Sequence, residues 1–112
     1  MVETHEFLSA TKKLMDDVER ADLVEYLAYN TKAGDVIPAS GGVRKLRWGL
    51  EGRGKRGGAR VIYFYHNMDM PLYLLTAYAK NERENLGQPE IDTMRKLVQI
   101  LVELNRKRRS AP

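Results

Sequence analysis

Val43-Arg44-Lys45-Leu46-Arg47-Trp48-Gly49-Leu50 repeats every two residues. Leu46, Trp48 and Leu50 fall on one face of an extended chain, and Lys45 and Arg47 fall on the other. A strand patterned this way gives its apolar face to a core and presents its cations on the opposite side of the sheet. Two runs of similar character follow. Ala59 to Asn67 (ARVIYFYHN) and Pro71 to Lys80 (PLYLLTAYAK) are rich in β-branched and aromatic residues, with Asn67-Met68-Asp69-Met70 as the turn between them. Consecutive strands pair antiparallel, which returns Arg60 beside the strand that carries Arg47.

Working outward, Val2 to Phe7 is a short first strand. Leu8 to about Asn30 has apolar residues at three-to-four spacing. Asp16-Asp17 breaks that stretch and supplies an N-cap, so it reads as a helical hairpin. Gly34 stops the second helix, and Pro38 with Gly41-Gly42 forms a loop. Glu51 to Gly58 is a long loop holding four glycines and three cations. Gln88-Pro89-Glu90 opens a last helix, with proline in the first turn, where its missing N–H costs little. The apolar stripe of that helix is Ile91, Met94, Leu97, Val98, Leu101 and Leu104. The predicted order is β-α-α-β-β-β-α: an α+β fold with one antiparallel sheet and helices packed on one of its faces.

Composition sets the outer bounds. At 112 residues, with 43% hydrophobic and 30% charged, the chain is long enough for one domain, residues 1–112, with a modest core. It has no run approaching the ~20 apolar residues of a membrane span, and its first ten residues lack the apolar region of a secretory signal. There is no cysteine, which excludes disulfides, thiolate nucleophiles and zinc–thiolate sites and suits a reducing cytoplasm. With two histidines, His5 and His66, no histidine-built metal site is expected.

The net charge of +4 hides an asymmetry. Residues 1–43 carry four basic and eight acidic side chains, whereas residues 44–60 carry seven basic and one acidic. A small domain divided this way points to a polyanion on its basic side. Arginine, suited to bidentate phosphate contact, outnumbers lysine there.

The candidate site is a cationic surface. Lys45 and Arg47 share a strand face, Arg60 lies on the next strand, and Lys80 ends the last. Arg44, Arg53, Lys55, Arg56 and Arg83 extend the surface towards RNA. Tyr63, Tyr65, Tyr73 and Tyr78 are either rings for base stacking or core packing; Tyr63 is the one assigned to RNA. No acid pair accompanies the cations, so two-metal nuclease chemistry lacks ligands. Gly52 to Gly58 is glycine-rich but lacks the GxxxxGK[ST] spacing. His66 reads as a strand-end residue, with general acid–base work the lesser alternative. No metal and no cofactor are expected. Such a surface can cleave RNA without metal. The 2′-OH attacks the adjacent phosphorus in line, and preorganised Arg and Lys stabilise the negative charge gathering in the transition state. A lysine crowded by like charges can take the 2′-OH proton.

Five segments together resemble the RelE/ParE toxin superfamily, in particular its HigB-type branch. They are Gly34-Asp35-Val36-Ile37-Pro38, Gly41 to Trp48, Gly52 to Gly58, Ala59-Arg60-Val61-Ile62-Tyr63, and Tyr78-Ala79-Lys80-Asn81-Glu82. The resemblance implies a microbial-ribonuclease-like sheet and a bacterial toxin that cleaves mRNA on the translating ribosome. It also implies a cognate antitoxin, HigA-like with a helix-turn-helix domain, through which alone the complex meets operator DNA; no membrane is involved. It matches Lys45 and Arg47 to the family's two strand lysines, Arg60 to its next-strand arginine and Lys80 to a basic position near the end of the last strand. Asn81 stands where a further arginine is expected, for which Arg83 is the substitute, and Leu86-Gly87 stand where a tyrosine is expected. The acid–base roles therefore do not transfer whole. Two other functions share this outline: a ParE-like gyrase inhibitor and a non-catalytic RNA-binding module. The antitoxin is expected either to mask the basic face electrostatically or to dock on the helical hairpin of residues 8–30.

Overall fold

The computed structural model describes residues 1–50, 58–83 and 85–110, and these form eight elements. They are β1 (Val2–Glu3), α1 (His5–Thr11), α2 (Asp17–Tyr29), β2 (Asp35–Val36), β3 (Val43–Trp48), β4 (Ala59–Phe64), β5 (Tyr73–Ala79) and α3 (Gln88–Ser110). The five strands form one sheet in the order β1-β5-β4-β3-β2. The α+β class and the three long strands stand as expected from the sequence. Two details differ. The sheet is mixed rather than antiparallel, because β1 runs parallel to β5 and pairs Val2 with Tyr73. A two-residue edge strand, β2, pairs Asp35 with Lys45 and Val36 with Arg44.

The helices cover both faces, not one. Phe7, Leu23 and Leu27 from α1 and α2 pack with Leu46, Val61, Tyr63 and Leu74 on one side. On the other, Val98 and its helical neighbours pack with Val43, Ile62, Phe64 and Tyr73. The physical reason lies in β4, every residue of which is buried. A strand that is apolar at successive positions has two faces to hide, and both need a cover.

Local chemistry fixes the starts of α1 and α2. Thr4 caps α1: its Oγ1 accepts the Phe7 N–H at 3.2 Å and donates to the Leu74 carbonyl at 2.8 Å, tying the helix to β5. Asp16 and Glu19 form a reciprocal capping box at α2, at 2.8 and 3.0 Å. Asn105 anchors α3 from within by donating to Tyr73 Oη at 3.1 Å.

One irregularity redirects side chains. Ile62 pairs with Thr76 but Tyr63 pairs with Leu74, so β5 carries an extra residue at Leu75. On either side of that bulge the alternation changes phase. Leu72 and Leu74 belong to the first core, as do Ala77 and Ala79. Tyr78 consequently falls on the α3 side with Tyr73 and Leu75.

Candidate functional site

The α3 side of the sheet carries the cations. Lys45 and Arg47 alternate with Leu46, which is in the α1–α2 core, so they share the face of Val43, against which α3 packs. Arg47 stands directly opposite Arg60 in the β3–β4 register, and Arg60 stands opposite Tyr78 in the β4–β5 register. Three adjacent strands thus put Arg47, Arg60 and Tyr78 in one row. Arg47 is exposed, whereas Arg60 is only 3% exposed, with Nη1 3.4 Å from the Ala59 carbonyl. Like charges directly opposite each other destabilise a sheet, and a guanidinium buried this deeply carries a desolvation cost.

Lys45 lies two residues along from Arg47. Its Nζ donates to Asn85 Oδ1 at 2.7 Å. Lys45 and Arg47 line a cavity of about 610 Å³ with Asp35, Asn85, Leu86 and Ile91. Its walls mix charge with aliphatic surface, as suits an unstacked base beside a phosphate. Lys80 follows β5, and its N–H donates to the Gly58 carbonyl at 3.1 Å. That bond holds the exposed Lys80 at the Arg60 end of the sheet. Gly58 itself has φ +58, and a Cβ there would lie 2.2 Å from the Trp48 carbonyl oxygen. Only glycine lets the chain enter β4 this close to β3.

Arg83 folds back over Tyr78, its Cζ 4.6 Å from the ring centroid. Its Nη1 donates to both carboxylate oxygens of Glu90, at 2.6 and 2.8 Å. Together with the Gly87 N–H, that donation holds the Glu90 carboxyl below its ordinary value of 4.5. Arg83 therefore reaches the row through Tyr78 while committed to an ion pair at the start of α3.

Two residues assigned to RNA from the sequence belong elsewhere. Tyr63 is fully buried in the α1–α2 core. Its hydroxyl donates to the Thr31 carbonyl at 2.9 Å and accepts the Gly34 N–H at 2.8 Å. Burial pushes that phenol above its ordinary value of 10.0. It bolts the α2–β2 connection to the sheet and offers no ring for stacking. Arg44 points away from Lys45, because neighbours on a strand alternate. Its Nη1 donates to the carbonyls of Gly34 and Lys32, at 2.7 and 3.3 Å. Tyr73 and Tyr78 are buried as well, and Tyr65 packs against the first core. For all four tyrosines, packing is the arrangement found. Arg53, Lys55 and Arg56 lie outside the described residues. His66 sits beyond the end of β4 remote from Arg60, stacked on Phe64.

Asn85, Asp35 and Glu90 were not found by sequence reasoning. A lone carboxamide in a connecting segment carries no pattern, and β2 is too short for periodicity to declare it. The Pro89 helix start was the usable signal for Glu90, since a first-turn acid near a cation is a recurrent arrangement.

A family model described as the RelE toxin of the RelE/RelB toxin–antitoxin system matches residues 4–110.

Proposed function

The chain belongs to the RelE toxin family, and on that premise we propose that it is a ribosome-dependent mRNA endoribonuclease of the HigB-type branch that works in the cytoplasm. The observation that carries the reading is the register opposition of the exposed Arg47 and the buried Arg60 on the sheet face that also carries Lys45. Such an arrangement suits a phosphodiester whose charge increases as it reacts.

In this reading the scissile phosphate sits over the Arg47–Arg60 pair. Lys45, held by Asn85, and Lys80 flank it. The 2′-oxygen attacks phosphorus, the bond to the 5′-oxygen breaks, and the products are a 2′,3′-cyclic phosphate and a 5′-hydroxyl. The arginines stabilise the pentacoordinate species more than the substrate, which is where acceleration arises. The cavity beside Lys45 receives an adjoining base against its aliphatic wall. Arg53, Lys55 and Arg56 guide RNA or contact the ribosome, and a HigA-like antitoxin restrains the protein. The cation row weighs against gyrase inhibition, which has no need of a phosphate site.

Primer extension on mRNA from translating cells or a reconstituted system tests the proposal. The expected result is new 5′ ends within translated codons, absent when the ribosome is omitted and absent when the scissile nucleotide carries 2′-hydrogen. Intact mRNA alongside altered DNA supercoiling would move the chain to the gyrase class. RNA binding without new ends would leave it a binding module.

A further inference from the structure

We infer that Asn85 is a positioning residue, which holds the Lys45 ammonium in place for the cleavage step. This deepens the RNA-cleavage reading and rests on it.

A lysine is a diffuse charge unless something fixes it. Its four-carbon stem is flexible and loses more rotamer freedom on ordering than most side chains do. Lys45 stands half-buried on β3, and its Nζ donates to Asn85 Oδ1 at 2.7 Å. The two residues are 40 apart in sequence, so the bond ties the sheet to the segment that leads into α3. An ammonium has donors only. The carboxamide oxygen of Asn85 is therefore the atom that faces it, and the other N–H bonds of Lys45 are left for an anionic ligand.

The kind of partner matters. Asp35 stands directly opposite Lys45 in the β2–β3 register and lines the same cavity. Among the described residues, however, no carboxylate lies within ion-pair distance of Lys45. A neutral amide holds it instead. Arg83 is the contrast: it donates to both carboxylate oxygens of Glu90, and that carboxylate offsets its charge. A carboxamide orients a cation without cancelling it. Stabilising a pentacoordinate phosphorus that gathers negative charge requires a cation of that sort, fixed before the reaction begins.

A positioning group must itself be fixed, and the backbone is pinned on both sides of Asn85. Before it, the N–H groups of Glu82 and Arg83 donate to the Ala79 carbonyl at 3.0 and 3.4 Å. After it, Leu86 is buried in the second core, and the Gly87 N–H donates to Glu90 Oε1 at 3.1 Å. Asn85 is exposed, so its bond to Lys45 adds little to stability. What it supplies is orientation.

The test is a double-mutant cycle on single-turnover cutting of ribosome-bound mRNA by the full chain. Asn85→Ala is expected to cut ~10-fold slower at saturating protein, with the half-saturating concentration and the urea midpoint unchanged. In a Lys45→Ala background the same change is expected to cost less than about twofold, because Asn85 acts through the lysine. Nitrogen NMR of the Lys45 ammonium gives a readout that needs no catalysis: its order parameter is expected to fall in Asn85→Ala. Equal cutting rates for wild type and Asn85→Ala, or an unchanged order parameter, would overturn the inference and leave the cleavage reading standing. So would an undiminished loss in the Lys45→Ala background, which would mean that Asn85 meets RNA directly. A wild type that makes no cuts would remove the cleavage reading and this inference together.

Discussion

Arg47 and Arg60 face each other across one strand boundary. In the proposed reading, replacing the exposed Arg47 by alanine removes a transition-state contact. Cleavage of ribosome-bound mRNA is expected to slow ~10²–10³-fold, with stability within ~0.5 kcal/mol of wild type by urea unfolding. Tyr63 is expected to behave in the opposite way. Tyr63→Phe strands the Gly34 N–H and the Thr31 carbonyl, costing ~1–3 kcal/mol in urea unfolding, while cleavage by the folded protein keeps its rate. At this scale the sequence revealed the cations well. Alternation put Lys45 and Arg47 on one face, and antiparallel pairing brought Arg60 to them. It misassigned Tyr63 because alternation says which residues share a face and not whether that face is open. Only α2 and the residues after it, packed over the strand, decide that.

Elements carry the next set of consequences. The capping box of α2 was half visible, since Asp16 marks the cap while Glu19 closes it three residues later. Asp16→Ala is expected to lower stability by ~0.5–2 kcal/mol, seen as a lower urea midpoint with an unchanged slope. At the start of α3, Glu90 has its pKa depressed chiefly by the hydrogen bond from Arg83. Its stabilising contribution is therefore full above 4.5 and fades as pH falls through the folded value. The pair is more than a third exposed, so the effect is small, below ~1 kcal/mol. Thermal melts of wild type and Glu90→Gln should differ at pH 7 and converge below pH ~4.5. The β5 bulge was invisible in the sequence. Nothing in PLYLLTAYAK marks the extra residue, yet that residue sends Tyr78 to the side where Arg60 lies. β2, at two residues, was also beyond the reach of periodicity, and β1 was read too long because His5 to Phe7 already belong to α1.

Across the whole molecule, one sheet separates two cores, and the proposed phosphate site lies on the α3 side. The misjudged layering had a readable cause. ARVIYF is apolar at consecutive positions, which is the mark of a strand covered on both sides. Charge segregation, by contrast, was evident from counting alone, since the acidic first third supplies the helical hairpin and residues 44–60 supply the cations. The most direct test of the central claim is the single-turnover rate at which purified protein cuts ribosome-bound mRNA, wild type against Arg47→Ala. The variant is expected to be slower by ~10²–10³ while folding as well as its parent. Equal rates would mean that the row of cations is not where the phosphate reacts.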